Sequence, residues 1–144
     1  MTSYHWDAHG DNFNMHRLMV PQVDRPFAAL VNDLDERGLL DHTLVVLMSE
    51  FGRTPKINSR LGRDHWPEAW SVMMAGLGLK SGLVAGKTTA NGAFCDGSEY
   101  DIGNLFHTIF KCLGVDSKQS EYLNNGQPLP IAHEDMDVIR EVLA

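Results

Sequence analysis

The stretch TLVVLMS, Thr43 to Ser49, constrains this chain more than any other. It is β-branched and apolar on both faces, so a strand made from it must be covered on both sides. Helical layers above and below a parallel sheet supply that cover, and the run therefore predicts a buried parallel strand. WSVMMA, Trp70 to Ala75, is a second run of the same kind. Helical patterns surround the two. Pro26 suits a first helical turn, and Phe27, Leu30, Val31 and Leu34 follow at helical spacing before Gly38. Asp101 is placed to cap a helix through Leu113, with Ile102, Leu105, Phe106, Ile109 and Leu113 on one stripe and Gly114 at its stop. A short polar helix is expected from Ser117 and an amphipathic one over Glu134 to Leu143. The polar first twenty residues read as an exposed loop or strand end, and Glu50 to Asp64 as a loop. Gly76 to Phe94, punctuated by glycine, reads as short strands joined by turns. The order of elements favours an α/β layered fold.

At 144 residues, 43% hydrophobic and 22% charged, the chain suits one soluble globular domain over 1–144. Twelve Lys+Arg against 19 Asp+Glu give a net charge of -7, and no basic run interrupts the acidic balance. That argues against nucleic acid and against an anionic membrane surface as partners. No apolar run approaches the roughly 20 residues that span a bilayer. Residues 1–20 carry neither the apolar core nor the basic leader of a secretion signal. Cys95 and Cys112 could form one disulfide, with Cys112 set among apolar residues as a small hydrophobe.

Ligands in open α/β sheets bind beyond the carboxyl ends of strands, which directs attention to SEFGRTP, Ser49 to Pro55. Glu50 stands at the strand end. Arg53, three residues on, can neutralise it or hold an anion through two parallel hydrogen bonds. A structural pair that pins the loop is the alternative. GRDHWP, Gly62 to Pro67, offers Asp64 and His65 as a metal ligand with an oriented neighbour, or as a hydrogen-bonded turn. Near the start stands HWDAHGDN, residues 5–12. In an extended segment His5, Asp7 and His9 share one face while Trp6 and Ala8 turn into packing. Imidazole and carboxylate together suit zinc, manganese or iron; a solvated loop is the other reading. His107 lies beside the apolar stripe of its helix, where a structural histidine is the default, and His16 and His42 read as surface residues.

WDAHGDN at 6–12, RGLLDHTLVVLMSEFGRTP at 37–55 and GRDHWP at 62–67 together carry a resemblance that none carries alone. With AGLGLKSGLVAGKT at 75–88 and LGVD at 113–116, they resemble the carboxyl-terminal part of a large bacterial family. It is known as "domain of unknown function 1501" and is grouped with the alkaline phosphatase and sulfatase superfamily. The resemblance spans nearly the whole chain.

It implies part of an alkaline-phosphatase-like three-layer α/β/α sandwich with a mostly parallel sheet. It also implies divalent metal, zinc, calcium or manganese, holding a sulfate or phosphate ester while a Ser, Thr or modified Cys attacks. Small-molecule and polysaccharide esters are the implied substrates. Asp7 and His9 resemble the acidic and histidine pair of such sites, and His65 the later histidine ligand. Where those enzymes carry Asp-His at the strand end, this chain has Glu50-Phe51; Glu can bind a metal and Phe cannot. Metal ligation is thus expected of Asp7, His9, Glu50 and His65, with Arg53 on the anion as the catalytic group. The superfamily's nucleophile lies in an amino-terminal half that has no counterpart here, so a fragment is the simplest account, with that half a missing partner. Family members commonly carry a twin-arginine export signal. A non-catalytic ligand-binding or scaffold domain, or an inactive truncated remnant, is the alternative.

Overall fold

The computed structural model describes residues 6–97 and 99–144. A long helix, α1 (Asn12–Glu36), comes first and leads through a 3-10 turn at Leu40–His42 into β1 (Val45–Leu47). Two short strands, β2 (Gly52–Arg53) and β3 (His65–Trp66), precede β4 (Met73–Ala75). Then come α2 (Ile102–Cys112), β5 (Glu121–Asn124), β6 (Gln127–Pro130) and a 3-10 turn at Arg140–Val142. The chain therefore mixes helices with small sheets.

No parallel three-layer sandwich is formed among the described residues. The three sheets are two-stranded and antiparallel: β1 with β4, β2 with β3, β5 with β6. Both buried runs foreseen in the sequence do become strands, yet Val45 pairs with Ala75 and Leu47 with Met73, in opposite directions. Neither strand is buried, β1 being half-buried throughout and Met73 of β4 exposed, so apolar character on both faces marks a strand here without fixing its burial or its direction.

Helix α1 begins at Asn12, inside the stretch expected to be loop, and carries Pro21 and Pro26 in its interior. Each proline removes one backbone donor, and both prolines, with Arg17 and Gln22 whose carbonyls they leave without a helical partner, are exposed, open to solvent. Helix α2 forms and is capped where expected, but of its apolar stripe only Leu105 is buried while Ile102, Phe106 and Leu113 stay exposed. Asp101 accepts from the Ile102 N–H, and Asn104 returns a side-chain oxygen to the Asp101 N–H at 2.8 Å, a reciprocal cap. Gly114 beyond its end has φ 74°. The helix anchors the best-buried cluster, with Leu105, His107, Thr108, Ala132 and Ile139. His107, 1% exposed, donates from Nε2 to the His133 carbonyl at 2.8 Å and accepts at Nδ1 from the Ser117 hydroxyl at 2.6 Å. It is the structural histidine the sequence suggested.

No α-helix forms over 134–143, only the 3-10 turn at Arg140–Val142. Asp137 accepts from the Val138 N–H, and the Ile139 N–H donates to Thr108 Oγ1 at 2.9 Å, which takes it out of any helical ladder. The helix expected near Ser117 is also absent, and Glu121–Asn124 turns back on Gln127–Pro130 as a hairpin. Over 76–94 the foreseen strands reduce to isolated bridges, Leu79 to Leu143 and Thr88 to Cys95. Both cysteines are free.

The accessible surface is 10,253 Å², where a compact monomer of this size presents about 7,400 Å². Exposed Phe13, Leu18, Val20 and Leu30 on α1, with Met48 and Met73 at the β1–β4 sheet, contribute to that excess. No helix among the described residues is long and apolar enough to cross a membrane.

Candidate metal centre

Three sequence segments build one polar corner, and the backbone explains why they meet. The β2–β3 pairing sets Arg53 opposite His65. The loop between these strands is strapped to the first segment: Asp11 N donates to Arg60 O (3.0 Å), Asn12 N to Leu61 O (2.9 Å) and Arg63 N to Ala8 O (3.2 Å). Gly62 makes this closeness feasible. A Cβ there would stand 2.0 Å from the His9 carbonyl carbon and 2.1 Å from its oxygen, so any side chain would push the two strips of backbone apart. Along Trp6 to His9 the amides of Ala8 and His9 bond back two residues, to Trp6 O and Asp7 O. Ala8 is buried beneath this tight path, as foreseen, and Trp6 packs edge-on against His16.

Asp7, His9 and His65 converge. Asp7 Oδ1 stands 2.7 Å from His65 Nε2 and 3.0 Å from His9 Nε2, and the two imidazole nitrogens are 3.1 Å apart. Arg53 Nη2 donates to the same Asp7 oxygen at 2.6 Å. The Arg53 side chain is otherwise well enclosed, 23% exposed, and reaches the carbonyls of Arg63 and Trp6. With these donors around it, the Asp7 carboxyl is held down to about 2; the hydrogen bond from His65 contributes most and that from Arg53 next.

His9 has a second partner. Its Nδ1 donates to Asp64 Oδ1 at 2.7 Å, and Asn58 Nδ2 donates to both Asp64 oxygens (3.2 and 3.3 Å) and to the His9 carbonyl (3.1 Å). His9, then Asn58, hold the Asp64 carboxyl below its ordinary value. A charged carboxylate on Nδ1 fixes the tautomer, because the proton must sit there, and so leaves the Nε2 lone pair for a ligand. Asn58 is itself fixed, its Oδ1 accepting from the amides of Arg60 and Gly62 at 3.0 Å each.

Phe51, which cannot ligate, packs its ring 4.2 Å from that of His65 and lies beneath the Arg53 guanidinium at 5.8 Å. Glu50 is exposed in the bend made by the Ser49 hydroxyl on Phe51 O, and it is not among the converging groups. His5 lies outside the described residues. Of the residues singled out in the sequence, Asp7, His9, His65 and Arg53 thus come together and Glu50 stands apart. Asn58 and the Asp64–His9 pairing escaped sequence reasoning. Their partners lie 49 and 55 residues away, a distance no local pattern spans.

The donor set, two imidazole nitrogens and one carboxylate oxygen, is that of a divalent transition metal; calcium prefers an all-oxygen shell. Concavity alone would have pointed elsewhere. A cavity of about 490 Å³ lies between the start of α2 and Pro130 to Met136, and no residue of this cluster lines it.

Fold and site together define a mixed α/β chain bearing a surface cluster with the make-up of a mononuclear metal site. The chain belongs to the family described as "Protein of unknown function (DUF1501)", whose pattern it matches over residues 1–143. No curated protein and no solved structure matches it.

Proposed function

We propose that this chain is the metal-holding part of a hydrolase acting on sulfate or phosphate esters, of the alkaline phosphatase and sulfatase type. The observation that carries the reading is the convergence of Asp7, His9 and His65, with donor atoms 2.7 to 3.1 Å apart, His65 lying 56 and 58 residues from the other two in sequence. Asp7, His9 and His65 would hold a divalent ion there, which would supply Lewis-acid polarisation of an ester oxygen. The protein's own groups do the rest. Asp64 orients His9, Phe51 steadies the His65 ring, and Arg53 places a guanidinium beside Asp7 where it can meet a sulfate or phosphate oxygen. The attacking group belongs, on this reading, to polypeptide that covers the exposed apolar surface of α1 and the β1–β4 sheet. That polypeptide is the amino-terminal half the resemblance implies.

A second reading, a ligand-binding or scaffold domain without turnover, is favoured by Glu50 standing outside the cluster and by Phe51 where a ligand would be expected. The two separate in one experiment. The chain is stripped with chelator, reconstituted with manganese or zinc, and assayed for metal content and for turnover of an aryl sulfate and an aryl phosphate. One bound ion with metal-dependent turnover supports the hydrolase, and one bound ion with ligand-dependent thermal stabilisation but no turnover supports the scaffold. Absence of stoichiometric metal defeats the hydrolase reading, and detectable ester turnover defeats the scaffold one.

A further inference from the structure

We infer that Asn125, at the tip of the β5–β6 hairpin, is a site of spontaneous covalent modification that loses its side-chain amide to become aspartate or isoaspartate, while Asn91, in the chain's other Asn-Gly pair, is held unreactive by the fold.

Asn-Gly occurs twice in the sequence, at 91–92 and at 125–126. In such a pair the glycine nitrogen can attack the side-chain carbonyl carbon of the asparagine, because no Cβ obstructs the approach. A bond forms between that nitrogen and Cγ, and the bond from Cγ to the amide nitrogen breaks. The amide leaves as ammonia, with the proton that the glycine nitrogen gives up. Water then opens the cyclic imide at either carbonyl. One opening leaves aspartate. The other leaves isoaspartate, whose main chain runs through the former side chain and is longer by one atom.

The fold separates two pairs that are identical in sequence. At the first, Asn91 Oδ1 accepts from the Thr89 hydroxyl at 2.8 Å and from the Ala93 N–H at 3.1 Å, a turn that fixes the side chain. The attacking nitrogen is tied as well, since the Gly92 N–H donates to Thr89 O at 2.8 Å. Trp66 Nε1 on Ala93 O at 2.6 Å and the bridge of Thr88 to Cys95 secure the segment further. At the second pair nothing is tied. Residues 121–128 are exposed throughout, and neither the Asn125 side chain nor the Gly126 N–H has a hydrogen-bond partner among the described residues. A Cβ built on Gly126 meets nothing within 4 Å, so the tip stands clear of the body. Strands β5 and β6 pair only with each other. A two-stranded hairpin on its own is marginally stable, so its tip opens readily and lets Cγ and the nitrogen meet.

The product does not fit the turn that made it. Two residues, at φ 51° and 83°, join Asn124 to its partner Gln127. Isoaspartate lengthens that connection by an atom and adds a carboxylate, so the pairing it closes is lost.

The full 144-residue chain is incubated at mildly alkaline pH in water enriched in oxygen-18, once folded and once in urea. Digestion and mass spectrometry follow the peptides that contain 91 and 125. In the folded chain Asn125 is expected to convert, taking up heavy oxygen, at a rate within a few-fold of that in urea. Asn91 is expected to convert at least about tenfold more slowly, because three hydrogen bonds must break first, and to catch up in urea. Gly126→Ala is expected to slow conversion at 125 in both conditions. Folded protein in which Asn125 is as slow as Asn91, or in which both convert at the rates seen in urea, overturns the inference. Isoaspartyl chains are expected to lose the cross-strand NMR contacts between Asn124 and Gln127; chains that keep them overturn the proposed opening of the hairpin.

Discussion

Replacing Gly62 with alanine probes how the site is assembled without touching a ligand. Its Cβ would enter within 2.0 Å of His9 C, 2.1 Å of His9 O and 2.3 Å of Gly10 N, all backbone atoms. Ordinary contact begins near 3.4 Å, so the strips carrying His9 and Gly62 must part by about 1.4 Å. That is half an edge of the donor triangle, whose sides are 2.7 to 3.1 Å. Overpacking alone costs about 1–3 kcal/mol. The bonds that strap the strips together, Asp11 N to Arg60 O and Asn12 N to Leu61 O, add about 1 kcal/mol each if lost. A total near 3 kcal/mol corresponds to a fall in Tm of about 10 °C for a domain of this length. Manganese affinity is expected to drop about 100-fold, since Asp7 and His9, on one strip, move away from His65 on the other. Gly10→Ala is the matched control, because its Cβ meets Arg60 O at an acceptable 3.4 Å. Thermal melting and metal titration of both variants decide the matter. A Gly62→Ala protein with unchanged Tm and unchanged metal affinity refutes the proposition that close backbone approach builds the site.

Further expectations follow from the same geometry. Phe51→Leu removes the ring packed at a 32° tilt with its centroid 4.2 Å from that of His65, worth about 0.5–1.5 kcal/mol, and should weaken metal binding a few-fold; a larger loss than about tenfold would mean Phe51 does more than steady the ring. Asp7 has its carboxyl lowered from 3.8 to about 2. Its ionised form therefore stabilises the fold above its unfolded value, and the contribution is lost as pH falls through 2; a carbon-detected NMR titration of metal-free protein with an Asp7 midpoint near 4 would contradict the contacts with His65 and Arg53. In the β5–β6 hairpin, Gly126→Ala places a side chain at φ 83° and should cost about 1 kcal/mol with no effect on metal binding; coupling between the two would show that the hairpin and the site are not independent.

Legibility in the sequence followed the range of the interactions. The span of helix α2 could be read from Asp101, its apolar spacing and Gly114 because a cap, a period and a stop are all local, whereas its buried side, through Gly103, Leu105, His107 and Thr108, could not. The β1 and β4 strands were visible for the same reason, but their antiparallel pairing was not, since Val45 and Ala75 are joined only through folding. Prolines misled in α1. Pro26 reads as a helix start, whereas the helix runs through it from Asn12 on a solvated face. The hairpin at Asn125 and Gly126 had a signal: Asn-Gly between short runs favours a two-residue turn with positive φ at both positions, and the values are 51° and 83°. At the site, Asp7, His9 and His65 stood out in the sequence because few residue types can bind metal, and the structure brings these three side chains together. The supporting contacts from Asn58, Asp64 and Phe51 were not, because packing across a loop leaves no periodic trace. Glu50, by contrast, was inferred from its place at a strand end, and the bend at Ser49 to Phe51 sets it apart from the other three.

Anomalous diffraction from crystals grown with manganese, recorded above the manganese absorption edge, addresses the central claim most directly. One peak within bonding distance of Asp7 Oδ1, His9 Nε2 and His65 Nε2 is the expected result. A manganese peak held by other residues, or no peak at that triangle with the metal in excess, contradicts it.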